Sequence, residues 1–417
     1  MKKFSVKLLS DLDSQSASNL LSLINTCKTD ACSIALGAGM SASVGLPTWD
    51  KLLRKISYAY FEHWIFNIIH DRKNCHYTKP PQNISIAFTE GYDYLLHQEE
   101  FKKSKQEINS ILEEANKLEA SEQIQYLFED EHSIGNFNET VDGITIYSDG
   151  KKVSDKKVKS FLEKEAESSR LKSSLQSNFL NSLMNKNLLL SAQMVKNRIK
   201  EKDWNYLLRK SLYGSYEDRP FQFNISPLMD ACINLIKNSN IKKIVNYNYD
   251  DTIYHALLCN KIKFDNVYCG RISSNKLSIY YPHGYIPLKG GVKTEIVLTE
   301  EDYQKQGSRV DLWSNNIQIS VYTNTSCIFL GLSLEDPNLR RILNMSNVAS
   351  QKTHYAFLPK SIGDGPVPEM IDSLFDADLL RFGIKVIRYP LIDGSHERLP
   401  QLLNLAVKAI SGELKLI

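Results

Sequence analysis

An apolar run, Ala31-Cys32-Ser33-Ile34-Ala35-Leu36, ends abruptly in Gly37-Ala38-Gly39-Met40-Ser41-Ala42-Ser43-Val44-Gly45. A short continuous apolar run bounded by glycines predicts a strand buried on both faces, as in a parallel sheet. The glycines allow a sharp turn and a close approach of backbone to a pyrophosphate, and a helix N-terminus behind them favours negative charge. The spacing is not G-x-G-x-x-G, because Ser43 or Val44 stands where the third glycine would fall. On spacing alone, a dinucleotide site and a strand-to-helix turn without a ligand stand level.

The rest of the chain repeats the strand and helix rhythm, with one interruption. Ser14 to Thr29 carries Leu20, Leu21, Leu23 and Ile24 behind three serines and predicts a capped helix. After Ser226-Pro227 come a helix (228–238), a strand (243–247), another helix, strands at 276–281 and 327–330, a last strand at 384–389 and a closing helix at 398–410. This alternation predicts an α/β, Rossmann-like, doubly wound parallel sheet. Between about 52 and 216 the texture changes to long amphipathic stretches, notably 98–120 and 156–202, rich in Lys, Glu, Leu, Ser and Asn. The expected division is therefore 1–54 with 222–417 as the sheet domain, and 55–221 as a large mostly helical insertion serving as a lid or in oligomerisation. Inside it, alternation at 141–150 flanked by two Asp-Gly pairs predicts a small hairpin, and the basic run 151–159 reads as a solvated helix face.

Composition closes off several classes. Fifty-one basic against 48 acidic residues, a formal net charge of +3, supply no bulk field for nucleic acid. No run approaches the roughly 18 apolar residues that span a bilayer, and Asp11 and Asp13 interrupt any leader pattern, so a cytoplasmic protein with no membrane contact is expected. The seven cysteines are scattered and odd in number, which suggests reduced thiols without a disulfide framework or zinc ribbon; Cys75-His76 alone reads as a surface loop.

Gly45-Leu46-Pro47-Thr48-Trp49 completes a segment that resembles the first motif of the sirtuin family, a Gly-Ala-Gly-x-Ser turn followed by Gly-Ile-Pro-Asp-Phe-Arg. Three further segments follow in the family's order. Asn246-Tyr247-Asn248-Tyr249-Asp250-Asp251 resembles its Gln-Asn-Ile-Asp, Pro282-His283-Gly284 its His-Gly, and Gly331-Leu332-Ser333 its Gly-Thr-Ser. The resemblance covers 31–50 and roughly 226–410. It departs where deacylase sirtuins carry a four-cysteine zinc ribbon, because only Cys327 lies between His283 and Gly331. Thr48, Trp49 and Asp50 also replace residues of the first motif.

With those departures, the chain is similar to divergent bacterial sirtuin-like domains of antiphage defence. The resemblance implies an NAD glycohydrolase that depletes NAD, with NAD as substrate and no metal. It implies catalytic roles for Asn248, which would orient the nicotinamide ribose or the attacking water, and for His283, which would bind a ribose hydroxyl or act as base. Asp250 would fix the nicotinamide end. Gly37, Ala38, Gly39 and Ser41 would line the phosphates, Trp49 would cover the nicotinamide end, Thr48 beside it would also bind the cofactor, and Gly331 with Ser333 would approach the adenosine half. Each has a plainer role: Asn248 and Asp250 as helix caps, His283 as a loop histidine, Trp49 as core, and His396 as a capping or packing residue. Implied partners are a second copy in a homo-oligomer, a HerA-type ATPase or a short Argonaute, with nucleic acid met only through a partner. The alternatives are an NAD-dependent deacylase and a non-catalytic NAD- or ADP-ribose-binding subunit of a nuclease complex.

Overall fold

Parallel strands cannot be joined by tight turns, so each must be followed by a crossover long enough to hold a helix. In the computed structural model the described residues are 11–57, 187–198, 201–214, 226–268, 277–292, 294–309, 311–350, 352–363 and 365–414, with four two-residue strands between 139 and 152. The chain forms two units, Met1–Leu53 with Ala192–Ile417, and Arg54–Ser191.

The first unit contains seven strands: β1 (Cys32–Leu36), β2 (Ile241–Asn246), β3 (Phe264–Val267), β4 (Leu277–Tyr280), β5 (Ser326–Leu330), β6 (His354–Pro359) and β7 (Ile384–Tyr389). They lie in the order β7-β6-β5-β1-β2-β4-β3, every neighbouring pair parallel. This is the α/β Rossmann-like fold expected from the sequence.

Its helices are α1 (Ser14–Thr29), α2 (Ala38–Ala42), α3 (Leu188–Lys196, which runs across the unit boundary), α4 (Glu201–Tyr213), α5 (Pro227–Asn238), α6 (Thr252–Cys259), α7 (Glu300–Ser308), α8 (Trp313–Asn324), α9 (Pro337–Ala349), α10 (Val367–Leu380) and α11 (Arg398–Ile410). Starts are written locally. Asp13 accepts from Ser16 N at 2.7 Å, Ser226 caps α5 ahead of Pro227, and Thr299 with Asp302 forms a capping box on α7.

Strand periodicity sorts the core into two layers. Ile34, Leu36, Ile328 and Leu330 face a core built with α1, α5 and α11. Ala35, Cys327 and Phe329 face the opposite core, with Val321 and Tyr322 of α8, Leu339 and Ile342 of α9 and Leu379 of α10. Burial on both sides explains the unbroken apolar reading of β1, all five of whose residues are buried. The chain runs from β1 to β2, continues through β3 and β4 on that side, then crosses to β5 on the other. The C-terminal tip of β1 therefore sits where the connections diverge, the place open α/β sheets use for ligands.

In the second unit, Glu139–Thr140 pairs antiparallel with Gly143–Ile144, and Tyr147–Ser148 with Lys151–Lys152. Thus Lys151 and Lys152, read above as part of a solvated helix face, are strand residues beside Asp149-Gly150, a sequence that favours a two-residue hairpin. The stretches 98–120 and 156–186 and Cys75-His76 lie outside the described residues; 188–196 and 201–213 are helical as α3 and α4. Among the described residues no helix is long and apolar enough to cross a membrane.

Candidate functional site

The four motif segments end four consecutive strands, β5-β1-β2-β4, all at their C-terminal tips. Two of the tips are locked together by main chain. Gly37 N–H donates to Leu330 O at 2.9 Å and Gly39 N–H to Gly331 O at 3.0 Å. A Cβ on Gly37 would collide with Gly331 O and the Leu332 side chain, one on Gly39 would lie 2.9 Å from Gly331 Cα, and one on Gly331 would lie 2.7 Å from Met40 N. Gly331 also has φ +68°, a left-handed conformation that side chains disfavour. These glycines are needed for backbone-to-backbone approach, and two of the amides expected to face a pyrophosphate are already used within the chain. Ala38 sits half-buried between them.

Asn248 joins this lock to the next strand. Its Nδ2 donates to Gly37 O at 2.8 Å, and its backbone N–H to Asn246 Oδ1 at 3.2 Å. Asn248 Oδ1 makes no hydrogen bond among the described residues. Asp250 and Ser41, expected to contact different parts of NAD, contact each other: Ser41 Oγ donates to Asp250 Oδ2 at 2.5 Å. Asp250 Oδ1 accepts from Thr252 N at 3.0 Å and Thr252 Oγ1 at 2.5 Å, which also starts α6. Burial raises the Asp250 pKa, against the opposing effect of these hydrogen bonds. The single Ser41 hydroxyl proton is therefore committed to Asp250.

His283 follows β4 and is buried at 7% exposure. Gly284 turns the chain away with φ +102°; a Cβ there would lie 2.6 Å from Glu295 O. The imidazole is held edge-on by Tyr247, ring centroids 5.0 Å apart, and by Tyr303 at 5.6 Å. Tyr247 is anchored by hydrogen bonds to Gln318 Oε1 at 2.5 Å and the Tyr322 hydroxyl at 2.8 Å. Burial lowers the His283 pKa, and the negative charge of Asp336 partly opposes the shift. The ring is neutral at pH 7 and able to accept a proton. Asp336 is fixed as the cap of α9, accepting from Leu339 N at 2.7 Å, and the Tyr303 hydroxyl interacts with its carboxylate.

Asp251 ties the layers beneath. It accepts from the Tyr213 hydroxyl at 3.0 Å and from Leu288 N at 3.0 Å, and pairs with His255 at 3.3 Å. Tyr213 also hydrogen-bonds Ile286 O at 2.6 Å, so α4 is fastened to the loop that follows His283. Thr48 begins the helical stretch 49–57, its carbonyl accepting from Leu52 N at 2.8 Å. The Trp49 indole N–H faces the Tyr249 hydroxyl without a well-formed hydrogen bond, while Tyr249 donates to Val297 O at 2.7 Å. Ser333 is exposed. His396 hydrogen-bonds the Tyr389 hydroxyl at 2.9 Å, at the start of α11.

Direct contacts thus unite Gly37, Gly39 and Gly331 with Asn248, and Ser41 with Asp250, while His283 joins the group through Tyr247. Among the described residues, Thr48, Trp49 and Ser333 make no hydrogen bond or ring contact with Asn248 or His283. Tyr247, Asp251, Tyr303 and Asp336 are additions from the structure. Tyr247 and Asp251 lie within the Asn246 to Asp251 motif, and Asp336 begins an Asp-Pro pair typical of a helix start; Tyr303 carries no such signal.

Residues 242–381 match the family described as SIR2-like domain. The match runs from β2 through α10 and takes in Asn248, Asp250, His283, Gly331 and Asp336, but not the Gly37 to Trp49 segment. Domains of that description are often NAD-dependent enzymes, which supports an NAD-related activity for this chain in general terms. A search of curated proteins gives no match. Among the described residues no group of three or more His, Cys, Asp or Glu is arranged to hold a metal ion.

Proposed function

We propose that this protein is an NAD glycohydrolase, converting NAD and water into nicotinamide, ADP-ribose and a proton. The observation that carries the reading is a buried imidazole, neutral at pH 7, one strand away from an asparagine whose carboxamide oxygen is unused. Breaking the ribose-to-nicotinamide bond passes through an oxocarbenium-like state, so the site needs groups that hold the ribose and direct one water. Asn248 Oδ1 orients a ribose hydroxyl or the water. His283 accepts the water's proton as the new C–O bond forms, and nicotinamide leaves with the electron pair of the broken C–N bond. Asp336 stabilises the imidazolium that results.

The same reading makes the protein an antiphage effector acting by NAD depletion in the cytoplasm. Because unchecked NAD loss is toxic, activity depends on assembly: as a homo-oligomer, or with a HerA-type ATPase or a short Argonaute that alone meets nucleic acid. The test is free nicotinamide released from NAD by the protein, alone and with such partners. Release by wild type, reduced about 100-fold or more in Asn248→Ala and His283→Ala, is expected. Absence of release in every assembly overturns the reading in favour of a binding subunit, and release only with an acetylated peptide overturns it in favour of a deacylase.

A further inference from the structure

Helix α10 is apolar on the wrong side as well as the right one. It packs on β7, the terminal strand of the sheet, and buries Leu379 in the core. Its outer face carries Val367, Met370, Ile371 and Leu374, which are 59%, 61%, 56% and 71% exposed. At 100° per residue these four fall within one arc of about 100°, a continuous stripe two turns long. Ile362, just ahead of the helix, is 80% exposed.

The acidic residues of α10 lie outside that arc or at its end, and most are used internally. Arg388 of β7 pairs with Asp372 at 3.0 Å and with Asp376 at 2.6 Å. Asp378, which closes the stripe, pairs with Arg340 of α9. Glu369 lies about 100° from Met370 around the axis. The four apolar residues of the stripe carry no charge, and three of the helix's four carboxylates are countered within the chain; Glu369, outside the arc, has no ion pair among the described residues. The stripe offers no complementary charge to a basic partner and no like-charge penalty to a copy of itself.

The area fits the same occupant. Four side chains exposed to this degree leave roughly 400 Å² of apolar surface in water, about the size at which an exposed patch on a monomer marks an interaction site. Two such stripes laid together with Ile362 at the rim bury roughly 1,000 Å², the lower end of a specific interface. We infer that α10 is a homodimer interface, in which the stripe of one copy packs against the stripe of a second about a two-fold axis. An isologous contact needs a self-complementary, uncharged patch, and this helix presents one. The interface lies at the β7 end of the sheet, three strands from β1, and leaves the strand tips that carry Asn248 and His283 free.

Sedimentation velocity at micromolar concentration tests this on the full chain. Wild type is expected to sediment as a dimer or a multiple of it, and Met370→Glu with Leu374→Glu to halve the mass while far-ultraviolet circular dichroism is unchanged. A wild type that sediments as a monomer overturns the proposal and gives the stripe to another protein. A dimer that survives the double substitution overturns it too. Should the double variant fail to fold, Leu374→Cys in a background with Cys75, Cys259 and Cys269 replaced by Ser decides: mild oxidation is expected to give a covalent dimer, and no cross-link overturns the interface.

Discussion

The two halves of the strand-tip site are closed by different means. At β1 and β5 the backbone of Gly37 and Gly39 lies against the backbone of Gly331, with two amide-to-carbonyl bonds and no space for a side chain. At β2 and β4 the work falls to side chains: Asn248, Tyr247, His283, and Asp336 reaching in from α9. The first half is built for rigidity and admits almost no substitution. The second carries the groups that can exchange protons or hydrogen-bond a ligand. Asn248, whose amide grips Gly37 O, is the hinge between them.

The strongest way to break this contrast is Gly331→Ala. The new Cβ must be accommodated at φ +68° and 2.7 Å from Met40 N. The left-handed conformation costs about 1–2 kcal/mol and the displaced backbone adds to it, for a total of about 3 kcal/mol or more. Urea denaturation is expected to show that loss, and full stability would mean the lock is not tight.

A smaller effect is expected from Asn248→Ala, which leaves Gly37 O without its side-chain donor. Gly37 O keeps a second donor, Met40 N–H at 2.9 Å, so the loss is about 0.5–1.5 kcal/mol, the net worth of one hydrogen bond. His283→Ala removes a ring but no side-chain hydrogen bond among the described residues, so its stability loss should be smaller than its loss of nicotinamide release. Equal stability losses in the two variants would erase the distinction between hinge and proton carrier.

The smallest expected change is the most diagnostic. Asp336→Asn keeps a cap for α9, since asparagine serves nearly as well as aspartate, and removes a charge that raises the His283 pKa. Without it the imidazole resists protonation to lower pH, so the acid limb of the pH–activity profile moves to lower pH while folding is unchanged. A limb that stays in place, or moves to higher pH, separates Asp336 from His283.

How much of this was legible depended on whether the cause was local. The apolar run into Gly37 announced β1 and its turn, and the order of the later motifs placed Asn248, His283 and Gly331 at neighbouring tips. The sequence reading passed over β3 because Phe264-Asp265-Asn266-Val267 is a polar edge strand, and edge strands need no apolar alternation. It passed over β6, bracketed by His354 and Pro359, and α10, whose two apolar faces blur the helical period. The charge beside His283 comes from a cap 53 positions away in sequence, and no spacing rule links them. Nor did the pattern reveal that Ser41 and Asp250 satisfy each other instead of facing a ligand.

Strand β1 has both of its neighbours, β2 and β5, far downstream in the chain. During synthesis its five residues, all but Ser33 apolar, emerge and then wait while roughly 200 more are added, some 10–40 s at ordinary ribosome speeds. The centre of the sheet is therefore among the first parts made, yet it stays unpaired until its downstream neighbours have been added. Until then its unpaired edges are templates for pairing with other nascent chains, so the aggregation hazard of this fold is greatest before residue 241 is made.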